Sequence, residues 1–181
     1  MGAPGAGKGT QAARLAERLG AAHLEAGALL REIAAQDSPL GAQVREPIAE
    51  GRLVPDELTD QVVGERLRTL PADEGFVLDG YPRNVRQARA LRRLLDELGR
   101  LEQRPVFLYL DVPRDVLVER LRRRGRTDDT DDVIARRLKV YDAETAPVRD
   151  AVSDWADAVA INGDQPPDAI AEEIVGVLCH R

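Results

Sequence analysis

The chain is poor in several residue types, and each scarcity excludes a class of protein. Its one cysteine, Cys179, excludes an internal disulfide and leaves no Cys-x-x-Cys pair to hold zinc. No apolar run approaches the roughly 20 residues of a membrane-spanning helix. Aromatic residues are 3% of the chain, so aliphatic side chains must build the core. We expect a soluble, cytoplasmic protein without a membrane segment.

Lysine is scarce as well, because Lys8 and Lys139 are the only lysines among 26 basic residues. The net charge of -6 does not suggest a general nucleic-acid or membrane surface. A preference for arginine is typical of a GC-rich genome, so each arginine has to be argued from its position. With 181 residues, 43% of them hydrophobic, the chain has the size and core of a single domain.

Apolar clusters bounded by turn residues alternate with helical periods, which predicts an α/β fold with a parallel sheet and helical crossovers. A helix is predicted from Gly9 to Leu19 and is closed by Gly20, while Pro113 and Pro167 mark the starts of later helices. The predicted buried strands are residues 22–25, 75–79, 106–110 and 157–161.

Two segments interrupt this alternation. Residues from about 27 to 69 form three short helical patterns separated by Pro39, Gly51 and Pro55. This stretch is too long for a simple crossover and predicts a helical insert, which commonly serves as a substrate clamp. A second insert, from about 123 to 132, is short and charged throughout.

Residues 2–10, Gly-Ala-Pro-Gly-Ala-Gly-Lys-Gly-Thr, form a glycine-rich phosphate loop. Its backbone N–H groups and the positive end of the following helix favour an anion, and Lys8 reaches the outer phosphates. Thr10 offers a hydroxyl to Mg²⁺ or a phosphate, although Gly9 stands where a Ser or Thr usually follows the lysine. The loop predicts a nucleotide-binding enzyme.

Asp79 ends an apolar strand and precedes Gly80-Tyr81-Pro82-Arg83. An acid at the carboxyl end of a buried parallel strand faces the ligand crevice. There it can hold Mg²⁺ through water, as the second acidic element of a phosphate-loop enzyme. A turn-forming Asp is the alternative, and the phosphate loop favours the metal.

Five segments in this order, GAPGAGKGTQ, GRLVPDEL, FVLDGYPRNVRQA, RRRGRTDDTDDVIARRL and VYDAETAP, resemble adenylate kinases. The similarity is closest to the bacterial short-lid type without a zinc-binding lid. It implies a P-loop NTPase-type doubly wound parallel sheet with a helical NMP-binding insert and a short lid. The implied division is a core of residues 1–26, 70–122 and 133–181, an insert of about 27–69 and a lid of about 123–132.

The resemblance also implies roles for individual residues. The implied ATP-binding residues are Gly5, Ala6, Gly7, Lys8, Gly9, Thr10, Arg120, Arg124 and Gly163. The implied AMP-binding residues are Ala26, Arg31, Arg52, Leu53, Val54, Gly80, Tyr81, Pro82, Arg83, Gln87, Arg126 and Arg137. The implied catalytic residues are Lys8, Arg83, Arg124, Arg126 and Arg137. The planar guanidiniums of the four arginines suit the charge spread over a phosphoryl group in transfer.

The implied reaction is Mg²⁺-dependent phosphoryl transfer, ATP + AMP ⇌ 2 ADP, in nucleotide biosynthesis. It needs no general base, because the attacking AMP oxygen is already an anion, and both inserts are expected to close and exclude water. Asp79 through water, and Thr10 as a second candidate, would serve the metal. The expected partners are ATP, AMP and ADP, and the expected state is a monomer.

The chain departs from the family at residues 25–28, Glu-Ala-Gly-Ala, where the family usually has Ser-Thr-Gly and an acid. Ala26 lacks a hydroxyl that touches AMP, and Ala28 lacks the acid. The loss of one neutral hydrogen bond costs about 0.5–1.5 kcal/mol, so AMP binding weakens up to roughly tenfold.

Several alternatives stay open. A UMP/CMP-type kinase and a catalytically weakened nucleotide-binding paralogue both fit the phosphate loop, whereas a GTPase-type switch lacks its Asn-Lys-x-Asp run. Gln87 follows Asn84 by three residues and so also fits a helix N-terminal cap. Arg122 and Arg123 are expected to be solvated.

Only Met1 precedes the phosphate loop, and the alignment with the family leaves about five residues of a central first strand unmatched. The loss of about four buried aliphatic side chains would forfeit on the order of 10 kcal/mol. We therefore expect the functional protein to begin several residues upstream of Met1.

Overall fold

The computed structural model describes residues 1–49, 54–124 and 130–179. Parallel strands alternate with helices in it, as the sequence predicts. The strands are β1 (Ala22–Glu25), β2 (Phe76–Asp79), β3 (Val106–Asp111) and β4 (Asp157–Asn162). All four predicted strands are therefore confirmed to within one residue at each end.

The helices account for most of the described chain. They are α1 (Lys8–Leu19), α2 (Ala26–Ala34), α3 (Pro39–Ala49), α4 (Asp56–Thr69), α5 (Val85–Glu97), α6 (Arg114–Arg124), α7 (Asp131–Val140), α8 (Val148–Ala151) and α9 (Pro167–Cys179), with a π-helical turn over Tyr141–Thr145. Gly20 closes α1 in the left-handed conformation, with its N–H donating back to the Ala16 and Glu17 carbonyls. The predicted first helix is thus confirmed, one residue longer at its start.

The sheet consists of two parallel pairs. β1 pairs with β2 from Ala22–Phe76 to Glu25–Asp79, and β3 pairs with β4 from Val106–Asp157 to Asp111–Asn162. In the described ranges the two pairs share no direct ladder, and Gly2 makes an isolated parallel bridge to Leu110 of β3. The carboxyl ends of β1 and β2 meet at Glu25 and Asp79, which places the start of α2 beside the loop that follows β2.

A cavity of about 650 Å³ lies between the two pairs. Apolar side chains of β2 and β3, including Phe76, Leu78 and Phe107, line it together with Leu15 of α1. Lys8 and Asp79 also line this cavity. The Met1 amine, which also lines this cavity, donates to the Leu108 carbonyl, and the Met1 carbonyl accepts from the Leu110 N–H.

Two apolar clusters form the core, and β3 contributes side chains to both. The first lies around Leu24, Leu67 and Leu95 and includes Phe107 of β3, together with residues of α4, α5 and α8. The second lies around Leu121 and Ile161, together with residues of α6, α7 and α9. Ala6 of the phosphate loop belongs to the second cluster, so the loop packs against these three helices.

The predicted insert contains α2, α3 and α4, which lie between β1 and β2 along the chain. α3 packs against α2, and α4 packs against α2 and α5. The three predicted helical segments are confirmed, with Pro39 and Pro55 at two of the boundaries, while Gly51 lies outside the described residues. None of the helices in the described ranges combines the length and apolar character required to cross a membrane.

Candidate active site

The phosphate loop turns sharply into the N-terminus of α1. Gly5 and Gly7 have φ angles of 89° and 90°, in the left-handed region that favours glycine. A Cβ built at Gly5 would also lie 3.0 Å from both the Leu117 carbonyl oxygen and Leu121 Cγ, whereas one at Gly7 would meet nothing within 4 Å. No side chain caps α1. Its first N–H groups, which have no acceptor within the helix, are therefore available to an anion.

Lys8 begins α1, and its Nζ donates to the Ala3 carbonyl oxygen at 2.9 Å. Burial lowers the pKa of Lys8 to about 8; the nearby Asp79 carboxylate opposes this shift, and the guanidiniums of Arg83 and Arg124 add to it. The Lys8 ammonium thus lies within electrostatic range of one carboxylate and two guanidiniums. The structure brings together four of the predicted residues: Lys8, Asp79, Arg83 and Arg124.

Asp79 lies directly against the phosphate loop at the end of β2. A Cβ built at Gly9 would be 3.3 Å from Asp79 Oδ2, so glycine at this position leaves room for the carboxylate beside α1. Thr10 is exposed on the same turn of α1. One carboxylate and one hydroxyl beside a phosphate site form a donor set that suits Mg²⁺, which takes few protein ligands and keeps phosphate and water ligands.

The turn after Asp79 holds Arg83 over Gly80. The Arg83 Nε donates to the Gly80 carbonyl oxygen at 2.7 Å, and a Cβ at Gly80 would lie 3.2 Å from Arg83 Nη2. The Tyr81–Pro82 peptide bond is cis, and both residues are buried. Thr145 Oγ1 donates to the Arg83 carbonyl oxygen at 2.7 Å. Arg83 is exposed, and its guanidinium lies over Gly80 in a turn that is held from both sides.

Arg120 and Gly163 form a second group, on the side of β4. Arg120 Nη1 donates to the Gly163 carbonyl oxygen at 2.9 Å, and Nη2 reaches Asp164 Oδ1 at 3.4 Å. Gly163 is buried, and a Cβ there would lie 2.5 Å from Val112 Cγ2. Arg120 and Arg124 both lie on α6, the helix whose Leu117 and Leu121 pack under Gly5. This group therefore belongs to the same side as the phosphate loop.

The described AMP residues predicted between positions 26 and 54 lie on α2 and just before α4. Ala26 is 2% exposed, and its Cβ is 3.9 Å from the position of a Cβ on Gly80. Arg31 is exposed, with Nη2 3.3 Å from Glu25 Oε1. Val54 is half-buried just before α4. Ala26 and the Gly80 turn are thus neighbours, which follows from the pairing of β1 with β2.

Gln87 is 3% exposed, and its backbone carbonyl oxygen lies 3.3 Å from the Tyr81 hydroxyl. Three further hydrogen bonds hold its backbone N–H and its side-chain amide. Its backbone N–H donates to Asn84 Oδ1 at 2.9 Å, its Oε1 accepts from the Arg83 N–H at 2.7 Å, and its Nε2 donates to Asp56 Oδ1 at 2.7 Å. The alternative interpretation, in which Asn84 and Gln87 cap the N-terminus of α5, is therefore confirmed. A role toward AMP stays a prediction.

The sequence reasoning missed Asp56 and Asp60, the acids of the first two turns of α4. Asp60 Oδ1 accepts from the Tyr81 hydroxyl at 2.8 Å, and Asp56 Oδ2 accepts from Asn84 Nδ2 at 2.7 Å. Arg86 bridges both carboxylates. The available signal was a pair of acids at i and i+4 at the start of a helix. Asp56 lies within the GRLVPDEL segment, and Asp60 lies two residues beyond it.

The remaining predicted residues divide into two groups. Arg137 is half-buried on α7, and Arg122 and Arg123 are exposed, with Arg122 paired to Asp131 and Arg123 to Glu119. Arg122 and Arg123 are therefore solvated, as predicted. The predictions for Arg52, Leu53 and Arg126, and the centre of the predicted lid, fall outside the described residues.

Comparison with known proteins supplies independent information. A family model described as adenylate kinase matches residues 1–156. The chain is 44% identical over 178 residues to adenylate kinase 1 of a Nostoc species, covering 98% of this chain and 96% of that protein. It is 45% identical to the adenylate kinase of Nocardia farcinica over 178 residues, covering 98% and 96%. It is 47% identical to that of Mycobacterium tuberculosis over 148 residues, covering 82% and 81%.

Proposed function

This chain belongs to the adenylate kinase family, and from that premise we propose that its site transfers the terminal phosphoryl group of ATP to AMP, reversibly, through the residues described above. The protein is a phosphotransferase and a nucleoside-monophosphate kinase. The family model and the relatives supply the reaction, and the geometry supplies the proposed roles of the residues.

The observation that best supports this proposal is that Asp79, Arg83 and Arg124 lie within electrostatic range of Lys8, the first residue of α1. Three cations near a helix N-terminus, with one carboxylate beside them, favour an anion of several charges such as a nucleoside triphosphate. Lys8 would leave the Ala3 carbonyl and donate to the outer phosphates. Gly5 to Thr10 would surround the phosphates with backbone N–H groups.

The acceptor would lie on the other side of Arg83, against Ala26, Arg31, Val54 and the Gly80 turn. An anionic oxygen of the AMP phosphate forms a new bond to the γ-phosphorus, the bond from that phosphorus to the bridging oxygen breaks, and ADP leaves with the electron pair. Arg83 would bridge donor and acceptor phosphates, and the hydrogen bond from its Nε to the Gly80 carbonyl oxygen supports this role. Catalysis then rests on alignment and charge neutralisation.

Magnesium would be held by Asp79 through water, with the Thr10 hydroxyl as the second candidate. When bound, it would neutralise charge on the ATP phosphates. The space that Gly9 leaves beside Asp79 Oδ2 supports this assignment.

The remaining assignments follow the family. Arg120, Arg124 and Gly163 would serve ATP, and Arg137 and Gln87 would serve the transferred phosphate and AMP; Arg52, Leu53 and Arg126 are proposed with them. Residues 27–69 would form the AMP-binding insert and residues 123–132 the lid, leaving 1–26, 70–122 and 133–181 as the core. We also propose a cytoplasmic monomer; a chain with the single cysteine Cys179 suits a reducing compartment.

The test is an ADP-forming assay with ATP and, in turn, AMP, CMP or UMP. We expect AMP to be the preferred acceptor, and ATP with no acceptor serves as the control for hydrolysis. Equal turnover of the three acceptors would overturn the choice of AMP, and a preference for CMP or UMP would favour the pyrimidine alternative. ATP binding without ADP formation would indicate a weakened nucleotide-binding paralogue.

A further inference from the structure

Asp56 connects the insert to the start of α5 through its two carboxylate oxygens. Oδ1 accepts from Gln87 Nε2 at 2.7 Å, and Oδ2 accepts from Asn84 Nδ2 at 2.7 Å and from Arg86 Nε at 3.2 Å. These partners lie 28 to 31 residues further along the chain. A single side chain of α4 therefore fixes three side chains around the first turn of α5.

The two partners of the Gln87 side chain determine which way its amide faces. A carboxylate only accepts hydrogen bonds and a backbone N–H only donates, so Nε2 must face Asp56 and Oε1 must face Arg83. The contacts at 2.7 Å on both sides agree with this orientation. An amide has two donor hydrogens and two acceptor lone pairs, so one hydrogen on Nε2 and one lone pair on Oε1 remain for a ligand.

We propose that Asp56 is a positioning residue that sets the hydrogen-bonding orientation of Gln87 and thereby makes the acceptor site selective for adenine over 6-oxopurines. This inference rests on the proposed function, because it assumes that the acceptor base lies against Gln87. It goes beyond that function by naming the residue that sets the selectivity and the bases that it excludes.

The chemistry of the purine edge gives the selectivity its direction. Adenine presents an acceptor at N1 and a donor at the 6-amino group, which match the remaining hydrogen of Nε2 and lone pair of Oε1. Hypoxanthine, in inosine monophosphate, presents the reverse: a donor at N1 and an acceptor at O6. A buried amide that cannot turn leaves both groups of the wrong base unpaired, which such sites reject strongly.

Asp60 offers a matched control within the same cluster. It lies one helical turn after Asp56, shares Arg86 with it, and accepts from the Tyr81 hydroxyl. No hydrogen bond between Asp60 and Gln87 occurs in the described part of the chain. Substitution of Asp60 thus disturbs the same interface without releasing the Gln87 amide.

The experiment compares AMP with inosine monophosphate for the wild type, Asp56→Asn, Asp56→Glu and Asp60→Asn, by kcat/KM and by calorimetric affinity. We expect the wild type to prefer AMP by about 10²-fold or more, since the site is built to pair with its base. In Asp56→Asn the new amide can donate as well as accept, so it no longer fixes which way the Gln87 amide faces. We therefore expect this variant to reduce the preference for AMP over inosine monophosphate about tenfold. Asp56→Glu should retain more of the preference than Asp56→Asn, and Asp60→Asn should leave the ratio unchanged.

Each outcome has a separate meaning. An unchanged ratio in Asp56→Asn, or an equal loss in Asp60→Asn, would overturn the role of Asp56. Should Asp56→Asn fail to fold, equal affinity of the wild type for the two monophosphates would still overturn it. A wild type that binds AMP selectively but forms no ADP would refute the proposed function and leave the selectivity intact.

Discussion

The donor side and the acceptor side of this site are built in different ways. On the donor side, residues 5–10 shape the phosphate site with their own backbone, through two left-handed glycines and the uncapped start of α1. On the acceptor side, the Gly80 turn and Gln87 are held by side chains of α4, a helix that lies far from them along the chain. Backbone geometry shapes the phosphate loop of the first side, whereas side-chain contacts from a distant helix shape the second.

This difference explains what each side can tolerate. The donor side depends on a few positions whose conformation or charge no other residue supplies. The acceptor side depends on a network in which Asp56, Asp60 and Arg86 share partners, so the loss of one contact leaves others in place. We therefore expect single substitutions to be most damaging at the phosphate loop.

The largest effect is expected from Lys8→Met. It removes the ammonium that would neutralise the outer phosphates, and the loss of one such group typically costs about 10²–10³ in rate. Steady-state ADP formation measures it. Lys139→Met, at the other lysine, which is exposed on α7, should retain wild-type activity. Equal activity of the two variants would remove Lys8 from the proposed mechanism.

Gly5→Ala should destabilise the fold more than Gly7→Ala. Both variants force alanine into the left-handed region, at a cost of about 1–2 kcal/mol. At position 5 the new Cβ would also lie 3.0 Å from the Leu117 carbonyl oxygen and from Leu121 Cγ. Such overpacking costs about 1–3 kcal/mol more. Urea unfolding measures the difference. Equal free energies of unfolding for Gly5→Ala and Gly7→Ala would show that the side chains beneath the loop accommodate the added methyl group without loss of stability.

On the acceptor side, Tyr81→Phe should lower the free energy of unfolding by about 2 kcal/mol, because it leaves the half-buried Asp60 carboxylate without its hydroxyl donor. Tyr109→Phe is the matched control. Its hydroxyl is also buried but has no hydrogen-bond partner in the described part of the chain, so its removal should be neutral or stabilising. Thermal unfolding of both variants checks this, and an equal loss of stability would contradict it.

The smallest effect concerns pH. Burial raises the pKa of Asp60 above its ordinary value of 3.8, against the opposing hydrogen bonds from Tyr81 and Arg86. The folded state therefore retains this proton at pH values where the unfolded chain has lost it, and the Asp60 contribution to stability falls as pH rises above about 4. The difference in free energy of unfolding between the wild type and Asp60→Asn should follow that direction. A difference independent of pH would contradict it.

Much of the fold is local in sequence and was predictable for that reason. The strand positions follow from short apolar clusters, and α1 ends at Gly20 because glycine adopts the left-handed conformation that closes a helix. The phosphate loop and Asp79 were recognisable because their residue types and spacing serve one chemistry. Asn84 and Gln87, three residues apart, predicted the cap that the structure contains.

Other features depend on contacts between distant residues. Periodicity identifies strands but not their ladders, so it did not predict the two separate parallel pairs or the cavity between them. In the sequence alone, Asp56 and Asp60 resemble ordinary acids at a helix start, where a negative charge interacts favourably with the helix dipole. Their role depends on where α4 packs relative to α5, which no local pattern contains.

By itself, the sequence determined the phosphate loop, the strand-ending Asp79 and the order of helices and strands, because these depend on residues adjacent in the chain. Only the tertiary structure decided that Lys8, Asp79, Arg83 and Arg124 meet, and that the Gln87 amide is held between Asp56 and Arg83. The physical reason is distance along the chain. Local conformation is set by neighbouring residues, whereas the orientation of a buried amide is set by whichever donors and acceptors the packed helices bring to it.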